Sequence, residues 1–291
     1  DELQDQNRRE LYHVDNSAVN VESAVTKGWR WTACRRFCYN HDIMISNLLV
    51  IAGKGDYPRF VIEGARKAGV RKIDVLSVKG SCERKTRLMA DEVFRFAAGE
   101  SDKAVRWAAS RGYDAALLAG QVCPMSLFRG KFDETVKSWL REMPVKNAHT
   151  IFGRLVSEFV RAGVRIVAAS SFMDGHFPDV GALTERDLTS AERDDIRRGQ
   201  EVALDVGRHD VGQTVLVKSG MVLAVEAFEG TNAAIKRAGG LGRGSVLFKA
   251  ARDGHDWRFD IPVVGLTTLK KMRKAGVTAL GFQAGRLLLL D

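Results

Sequence analysis

The sequence lacks a long apolar run, a secretory signal and a dense cysteine pattern, and each absence excludes a class of protein. Its longest apolar stretches, such as residues 48–52 and 287–290, fall far short of the roughly 20 residues of a membrane-spanning helix. Four cysteines in 291 residues are too few for a disulfide scaffold. Cys34, Cys38 and His41 supply only three zinc ligands, in a spacing that is not a common finger pattern. We therefore expect a cytoplasmic protein with free thiols that is not embedded in a membrane.

Charged residues are abundant, and positive charge prevails. The chain has 45 Lys and Arg against 36 Asp and Glu, a formal charge of +9. This balance predicts an anionic partner: nucleic acid, a phosphorylated metabolite or an acidic membrane surface. Because 45% of the residues are hydrophobic and 291 residues are about twice a typical domain, we expect two domains with buried cores.

The sequence pattern changes along the chain and predicts four segments. The first segment shows no sustained helical or strand period, and Met44 stands directly before the first convincing strand. We interpret this segment as a non-native or disordered extension, and Met44 as the natural start. The segments are an extension at 1–43, a Rossmann-like α/β domain with a parallel sheet at 44–175, a linker at 176–187 and a mixed α+β catalytic domain at 188–291.

Each domain has its own pattern of elements. In the first domain, strands at 47–52 and 72–78 flank a helix that begins near Pro58, which predicts a right-handed βαβ crossover. In the second, Ser219-Gly220 between two apolar runs predicts a β-hairpin. Further predicted elements are strands at 115–119, 164–169, 245–250, 258–262 and 277–282, and helices at 150–162, 190–205 and 267–275.

Two loops of the first domain are candidate ligand sites. Gly53 and Gly55 lie between a strand and a helix, where backbone N–H groups can bind phosphate. A tight turn that needs two glycines explains them too, since Pro58 replaces the third glycine of the dinucleotide fingerprint. Asp174 and His176 follow the predicted strand at 164–169 and are candidates for a metal ligand or proton carrier, or belong to an ordinary polar linker.

The densest group of candidate residues lies in the second domain. It combines carboxylates with a lysine and an arginine, the side chains that hold a divalent cation and neutralise phosphoryl oxygens. Solvated charges at strand ends are the alternative interpretation. The group consists of Asp210, Gln213, Glu226, Glu229, Thr231, Asn232, Lys249, His255, Asp256, Arg258 and Asp260.

Four motifs stand out: IAGKGDYP at 51–58, DVGQTVLVK at 210–218, VLAVEAFEGT at 222–231 and RFDIPVVG at 258–265. They resemble the motifs of the LpxI-type UDP-2,3-diacylglucosamine pyrophosphatases. The resemblance implies hydrolysis of the pyrophosphate of UDP-2,3-diacylglucosamine to UMP and 2,3-diacylglucosamine 1-phosphate (lipid X), a step of lipid A biosynthesis in Gram-negative bacteria. It also implies Mg²⁺ or another divalent cation, transient association with the inner-membrane surface and no nucleic-acid partner, and it leaves a homodimer open.

The resemblance also implies residue roles. Asp260 is the predicted catalytic carboxylate, and Lys249 and Arg258 are predicted to stabilise charge on phosphoryl oxygens. The predicted metal ligands are Asp260, Glu226 and Glu229. The predicted substrate-binding residues are Gly53, Gly55, Asp174, His176, Gln213, Thr231 and Asn232.

The chain departs from the family pattern at three places. At 249–256, only the lysine, one base and the final acid of the usual K-x-x-K-P-x-Q-D remain, as Lys249, Arg252 and Asp256. Asn232 stands where many relatives have an aspartate, and the chain ends on a predicted strand beyond which relatives continue, so we expect a truncated C-terminus. Two other functions remain alternatives. One is a nicotinamide-dependent oxidoreductase, and the other is a non-enzymatic nucleotide- or nucleic-acid-binding protein, although the basic residues are dispersed and form no known reading helix.

Overall fold

The computed structural model describes residues 16–21, 24, 44–97, 99–121, 134–145, 148–251 and 256–290. Cys34, Cys38 and His41 lie outside the described residues. The strands are β1 (Asn16–Asn20), β2 (Asn47–Ala52), β3 (Lys72–Val78), β4 (Glu92–Phe96), β5 (Ala115–Ala119), β6 (Gly181–Ala182), β7 (Thr214–Lys218), β8 (Met221–Val225), β9 (Ser245–Lys249), β10 (Val263–Gly265), β11 (Val277–Gln283) and β12 (Leu288–Leu290). The helices are α1 (Tyr57–Lys67), α2 (Arg84–Arg87), α3 (Ser101–Ala109), α4 (Glu134–Glu142), α5 (Ala148–Arg161), α6 (Ser190–Arg208), α7 (Thr231–Leu241) and α8 (Leu266–Ala275).

The described residues divide into two compact units. We call residues 44–173 and 256–260 the four-strand unit, and residues 16–24, 174–251 and 261–290, where described, the six-strand unit. The division after residue 173 lies close to the predicted boundary at 175. The short segment 256–260 belongs to the first unit, although the sequence places it in the second domain.

The four-strand unit is built on a parallel sheet with the strand order β4-β3-β2-β5. Every residue of β5 is buried, as expected for a strand covered on both faces. The predicted α/β class and parallel sheet are therefore confirmed, while the finer description as Rossmann-like stays a prediction. The predicted strand at 164–169 is reduced to a single bridge between Ile166 and Ala116.

The six-strand unit has a mixed sheet with the strand order β6-β1-β11-β9-β7-β8. The predicted hairpin is confirmed, because Ser219 and Gly220 link β7 to β8 with φ values of 51° and 79°, as a type I′ turn requires. The buried Asp195 of α6 accepts both turn N–H groups, from Ser219 at 2.8 Å and Gly220 at 2.7 Å. A helix on one side of the sheet thereby fixes the turn of the hairpin.

Alternating side chains give this sheet two apolar faces. Val215 and Val217 of β7 pack in one cluster with residues of α6, whereas Leu216 packs in another with residues of α7 and α8. Gly239 permits α7 to approach α8, since a Cβ there would lie 2.7 Å from the Cβ of Ala275. No helix in the described part of the chain has the length and hydropathy to cross a membrane.

Three predictions from the sequence differ from the structure. Residues 16–20, predicted to lie in a non-native or disordered extension, form β1 and pair antiparallel with β11, and Val21 and Ala24 are buried in the core. The predicted linker at 176–187 packs in the six-strand unit because Phe177 and Leu183 are buried there. The predicted strand at 258–262 is replaced by a turn, since local hydrogen bonds to Asp256 close the backbone.

Candidate functional site

The side chain of Lys249, the last residue of β9, is the centre of a polar cluster in the six-strand unit. Its Nζ donates to Thr214 Oγ1 at 3.3 Å and to Thr231 Oγ1 at 3.2 Å, and lies 3.9 Å from Glu226 Oε2. The hydroxyl of Thr231 in turn donates to Glu226 Oε1 at 2.8 Å. The side chains of Lys249 and Glu226 are only 7% and 14% exposed, so the cluster contains a buried ion pair bridged by a hydroxyl.

The ends of β8 and β9 and the starts of β7 and α7 bring this cluster together. Thr214, the first residue of β7, stands opposite Lys249 in the sheet. Glu226 directly follows β8, and its N–H donates to Thr214 O at 2.8 Å. Thr231 opens α7 behind Gly230, whose φ of 82° favours glycine. The structure thus brings three predicted site residues, Glu226, Thr231 and Lys249, into one cluster.

The segment before β7 packs directly on the same cluster. A Cβ at Gly212 would lie 2.0 Å from Glu226 O, so this close approach of two backbones requires glycine. The next residue, Gln213, accepts a hydrogen bond from Ala250 N at 2.8 Å through its carbonyl and extends the pairing of β7 with β9. The motifs at 210–218 and 222–231 therefore meet in space.

The Lys249 cluster has the electrostatics of an anion site. A lysine ammonium has three N–H groups, and two of those of Lys249 donate to threonine hydroxyls, which leaves one for a ligand oxygen. The N-terminal end of α7 adds a partial positive charge. Glu226 Oε2 accepts no hydrogen bond from any described residue, so it can accept one from a bound group. The cluster can bind a phosphoryl oxygen beside a carboxylate oxygen that is able to accept a hydrogen bond.

Glu229 and Asn232 both lie near the start of α7, and their predicted roles stay predictions. Glu229 Oε1 pairs with an Arg237 guanidinium nitrogen at 2.5 Å. The backbone N–H of Glu229 itself and the Arg237 guanidinium hold the pKa of the Glu229 carboxyl below its usual range. Asn232 is an exposed residue of the first helical turn. Neither residue joins the polar contacts around Lys249 that are described above.

The three predicted metal ligands do not form one described ligand set. Glu226 lies beside the Lys249 ammonium, Glu229 pairs with Arg237, and Asp260 belongs to the other unit. Within the described ranges, no group of three or more His, Cys, Asp or Glu side chains is placed to hold a metal ion. The predicted Mg²⁺ site therefore stays a prediction.

Arg258 and Asp260 lie in a turn of the four-strand unit. Arg258 Nε donates to both carboxylate oxygens of Asp256, at 2.9 and 3.1 Å, and a terminal nitrogen donates at 2.6 Å. The guanidinium holds the pKa of the Asp256 carboxyl below its usual range, and the carboxylate raises the pKa of Arg258. Asp260 N donates to Asp256 O at 2.9 Å. Asp256 is thus the organising residue of the turn, which the predicted site residues omit.

His149 of α5 is a further candidate that the sequence did not reveal. Its ring lies 5.2 Å from the ring of Phe259, which also lies 6.2 Å from the ring of Phe152. The Nδ1 atom of His149 is buried and makes no hydrogen bond with a described residue. A positive charge on this ring lowers the pKa of the nearby Asp256 carboxyl. A lone histidine at a helix start gives no sequence signal that would single it out.

The glycine loop after β2 is held by the neighbouring strand. Gly53 N donates to Ala119 O at 2.7 Å, and Lys54 N donates to Gln121 O at 2.7 Å. A Cβ at Gly53 would lie 2.7 Å from Gln121 O. The predicted phosphate contact of the Gly53 N–H is therefore wrong, because that donor is already used. Gly55 has a φ of 94° in open space and stays a predicted ligand-binding residue.

Asp174 and His176 are the first and last residues of a short 3₁₀ turn, which begins the segment 174–251 of the six-strand unit. The Nδ1 atom of His176 lies 3.0 Å from the backbone carbonyl of Leu289 in β12. This contact links the turn to β12. The predicted role of these residues in substrate binding stays a prediction.

Comparison with solved structures finds only distant likeness. A biotin carboxylase domain of a thermophilic 2-oxoglutarate carboxylase bound to bicarbonate has a TM-score of 0.24 and 17% identity over 30% of this chain and 22% of that chain. The same domain from Hydrogenobacter thermophilus, in complex with MgADP, ADP and bicarbonate, has a TM-score of 0.25 and 12% identity over 80% and 41% of the two chains. Likeness at this level carries no argument about fold or function.

Comparison with protein families is more specific. A curated relative from Caulobacter vibrioides (strain ATCC 19089 / CIP 103742 / CB 15), named UDP-2,3-diacylglucosamine pyrophosphatase LpxI, is 34% identical over 155 residues. The match covers 50% of this chain and 55% of the relative, so it spans about half the length of that protein. Residues 47–176 match the family model of the LpxI N-terminal domain, and residues 179–291 match that of the LpxI C-terminal domain. Because these two domains together account for most of the chain, the protein belongs to the LpxI family.

Proposed function

We propose that this protein hydrolyses the pyrophosphate bond of UDP-2,3-diacylglucosamine to UMP and 2,3-diacylglucosamine 1-phosphate. Water adds its oxygen to one phosphorus, the bridging P–O bond breaks, and the released protons pass to solvent. Family membership and the name of the Caulobacter relative support the reaction. The observation that carries the proposal is the buried cluster of Lys249, Glu226 and Thr231, because it is built from the family motifs and suits a phosphoryl oxygen.

Lys249 is the group that we expect to stabilise charge on the pyrophosphate. Its ammonium is held in place by two threonine hydroxyls, so it needs little reorganisation when negative charge develops on a non-bridging oxygen. Burial strengthens this interaction, since water screens it weakly. Glu226 positions Thr231 through the hydrogen bond at 2.8 Å.

Asp260 remains our proposed acceptor of a proton from the attacking water, on the strength of the RFDIP motif. Arg258 remains our proposed second group that stabilises charge on phosphoryl oxygens, and its pair with Asp256 orients the guanidinium. We also propose, from the resemblance alone, substrate contacts by Gly55, by Asp174 and His176, and by the residues Gln213, Thr231 and Asn232. From the resemblance alone we also propose a Mg²⁺ requirement and a cytoplasmic location. The roles proposed for Lys249, Asp260 and Arg258 do not involve a metal.

Product analysis in labelled water tests the proposal directly. Purified protein is incubated with UDP-2,3-diacylglucosamine in H₂¹⁸O, with Mg²⁺ or with EDTA, and the products are identified by mass spectrometry. We expect UMP and 2,3-diacylglucosamine 1-phosphate, and the product that carries ¹⁸O identifies the phosphorus attacked. Absence of both products under both metal conditions would contradict the reaction. Equal rates with EDTA and with Mg²⁺ would contradict the metal requirement alone.

A further inference from the structure

The helices α7 and α8 present only positive charge on their exposed surfaces. Neither helix contains Asp or Glu. The helix α6, on the opposite face of the same sheet, carries four basic and five acidic residues. We call the exposed bases of α7 and α8 the basic face; they are Lys236, Arg237, Lys270, Lys271, Arg273 and Lys274.

The two helices form one continuous layer, so their bases share one side of the unit. The apolar residues Ile235 of α7 and Leu269 and Met272 of α8 are buried in the same core cluster. The close approach of Gly239 to Ala275 brings the helices into direct contact. Their exposed side chains therefore point away from the same face of the sheet.

The positive charge of the basic face is largely uncompensated. Glu229 pairs with Arg237, but Lys236 and Lys270 make no ion pair with any described residue, and the same holds for Lys271 and Lys274. Two further bases lie at the end of α7. Arg243 donates to Lys274 O at 3.2 Å, and the amino group of Lys218 lies 3.5 Å from a Cβ built at Gly242.

An apolar side chain lies among these bases. Leu241, the last residue of α7, is 66% exposed. Exposed lysines and an exposed leucine on one helical layer match the interface of an anionic bilayer, where ammonium groups meet headgroups and an apolar side chain enters the acyl boundary. A nucleic acid offers phosphates but no apolar layer for Leu241, and no exposed aromatic on these helices would stack on a base.

We propose that the basic face docks on membrane surfaces that contain anionic lipid headgroups. One end of this helical layer lies beside Lys249, because Thr231 is the first residue of α7 and accepts a hydrogen bond from that lysine. Docking would therefore hold the Lys249 cluster on the membrane-facing side of its unit. The inference does not depend on the proposed reaction, because docking is measured without turnover.

Vesicle binding tests the proposal. The protein is sedimented with vesicles of phosphatidylcholine alone or mixed with phosphatidylglycerol, at low and high salt. We expect binding only to the mixed vesicles and a loss of binding at high salt. The quadruple variant Lys236→Gln/Lys270→Gln/Lys271→Gln/Lys274→Gln should bind about 600-fold more weakly, because each of the four bases near an anionic surface contributes roughly fivefold. Leu241→Ser should weaken binding by about tenfold through its lost apolar contact.

A matched variant of α6 gives the control. Arg193→Gln/Arg197→Gln/Arg198→Gln/Arg208→Gln removes the same formal charge from the opposite helix and should retain more than half of the vesicle binding. Both quadruple variants should hydrolyse detergent-dispersed substrate within about twofold of the unaltered protein, since surface substitutions rarely disturb a fold. Equal loss in the two variants, equal binding to neutral vesicles, or tighter binding to polyuridylate than to the mixed vesicles would overturn the proposal.

Discussion

Two pairs of opposite charges, one in each unit, have similar composition but different surroundings. Lys249 and Glu226 are 7% and 14% exposed and share a threonine hydroxyl, with no direct hydrogen bond between them. Arg258 and Asp256 are 43% and 23% exposed and are joined by three short hydrogen bonds. In the second pair, the guanidinium and the carboxylate form hydrogen bonds with each other. In the first pair, the buried ammonium keeps one N–H group for a ligand. Burial and partner geometry, rather than the number of charges, distinguish a candidate phosphate site from a structural pair.

Lys249→Met should produce the largest effect. It removes a preorganised donor, so we expect turnover to fall about 10²–10³-fold. It also leaves the Glu226 carboxylate buried without its partner, which should lower the free energy of unfolding by roughly 3 kcal/mol. Steady-state release of UMP and urea unfolding measure the two effects separately.

The matched control for this variant is Lys67→Met. Lys67 is an exposed lysine at the end of α1, and its replacement should change neither turnover nor unfolding. Lys249→Arg keeps the positive charge but not the compact ammonium, and should recover folding more fully than activity. Full turnover by a folded Lys249→Met protein would show that the buried pair is outside the active site.

Replacing each of the two glycines of the loop after β2 by alanine should distinguish a structural role from a ligand-binding role in the four-strand unit. A Cβ at Gly53 meets Gln121 O at 2.7 Å, so Gly53→Ala should destabilise the fold by roughly 2 kcal/mol through overpacking. Gly55 has open space but a φ of 94°, so Gly55→Ala should cost about 1 kcal/mol. Thermal unfolding gives both values. A rise in KM with Gly55→Ala alone would support a ligand contact there, and an unchanged KM would contradict it.

Thr231→Val should separate the bridging hydroxyl from the buried charge pair. The substitution keeps the shape of the side chain but removes one donor to Glu226 and one acceptor from Lys249. We expect turnover to fall about tenfold, in line with one lost hydrogen bond to a charged group. Thr231→Ser restores the hydroxyl and should recover most of the rate. If the serine variant is as slow as the valine variant, the methyl packing and not the hydroxyl is responsible.

Much of the fold could be predicted because its signals are local. The strands Asn47–Ala52 and Lys72–Val78 have the predicted bounds, since short apolar runs between turn residues specify them. The helix Thr231–Leu241 was missed because Gly239 and Gly240 suggest a loop. The structure explains Gly239 by the close packing of α7 on α8, which is a tertiary requirement with no local signal.

The site could be predicted in part, because some of its residues have a local chemical signal and others depend on tertiary structure. Glu226, Thr231 and Lys249 were identified from their chemistry, and the sheet register brings them together. Their grouping with Arg258 and Asp260, which belong to the other unit, stays a prediction. Asp256 belongs to the predicted group but has no predicted role, because a carboxylate two residues from an arginine has no distinctive spacing until a turn brings the two side chains together.

Asp256→Asn should have the smallest effect, and its pH dependence tests whether the Arg258 pair is ionic. The pKa of Asp256 is lowered in the folded protein, chiefly by the hydrogen bond from Arg258. The charged pair therefore stabilises the fold above the unfolded value, near pH 4, and this contribution is lost as pH falls through the lower folded pKa. At neutral pH we expect a difference in unfolding free energy of about 0.5–1 kcal/mol, as for other exposed pairs.

Urea unfolding of the unaltered protein and of Asp256→Asn across this acidic range measures the difference. Glu92→Gln is the matched control, since Glu92 forms a comparably exposed pair with Arg111 in the same unit, at 2.9 and 3.0 Å. Its loss of unfolding free energy should match that of Asp256→Asn at neutral pH, because the two pairs are similarly exposed. A difference between Asp256→Asn and the unaltered protein that stays constant into strong acid would mean that shape, and not charge, holds the turn at 256–260.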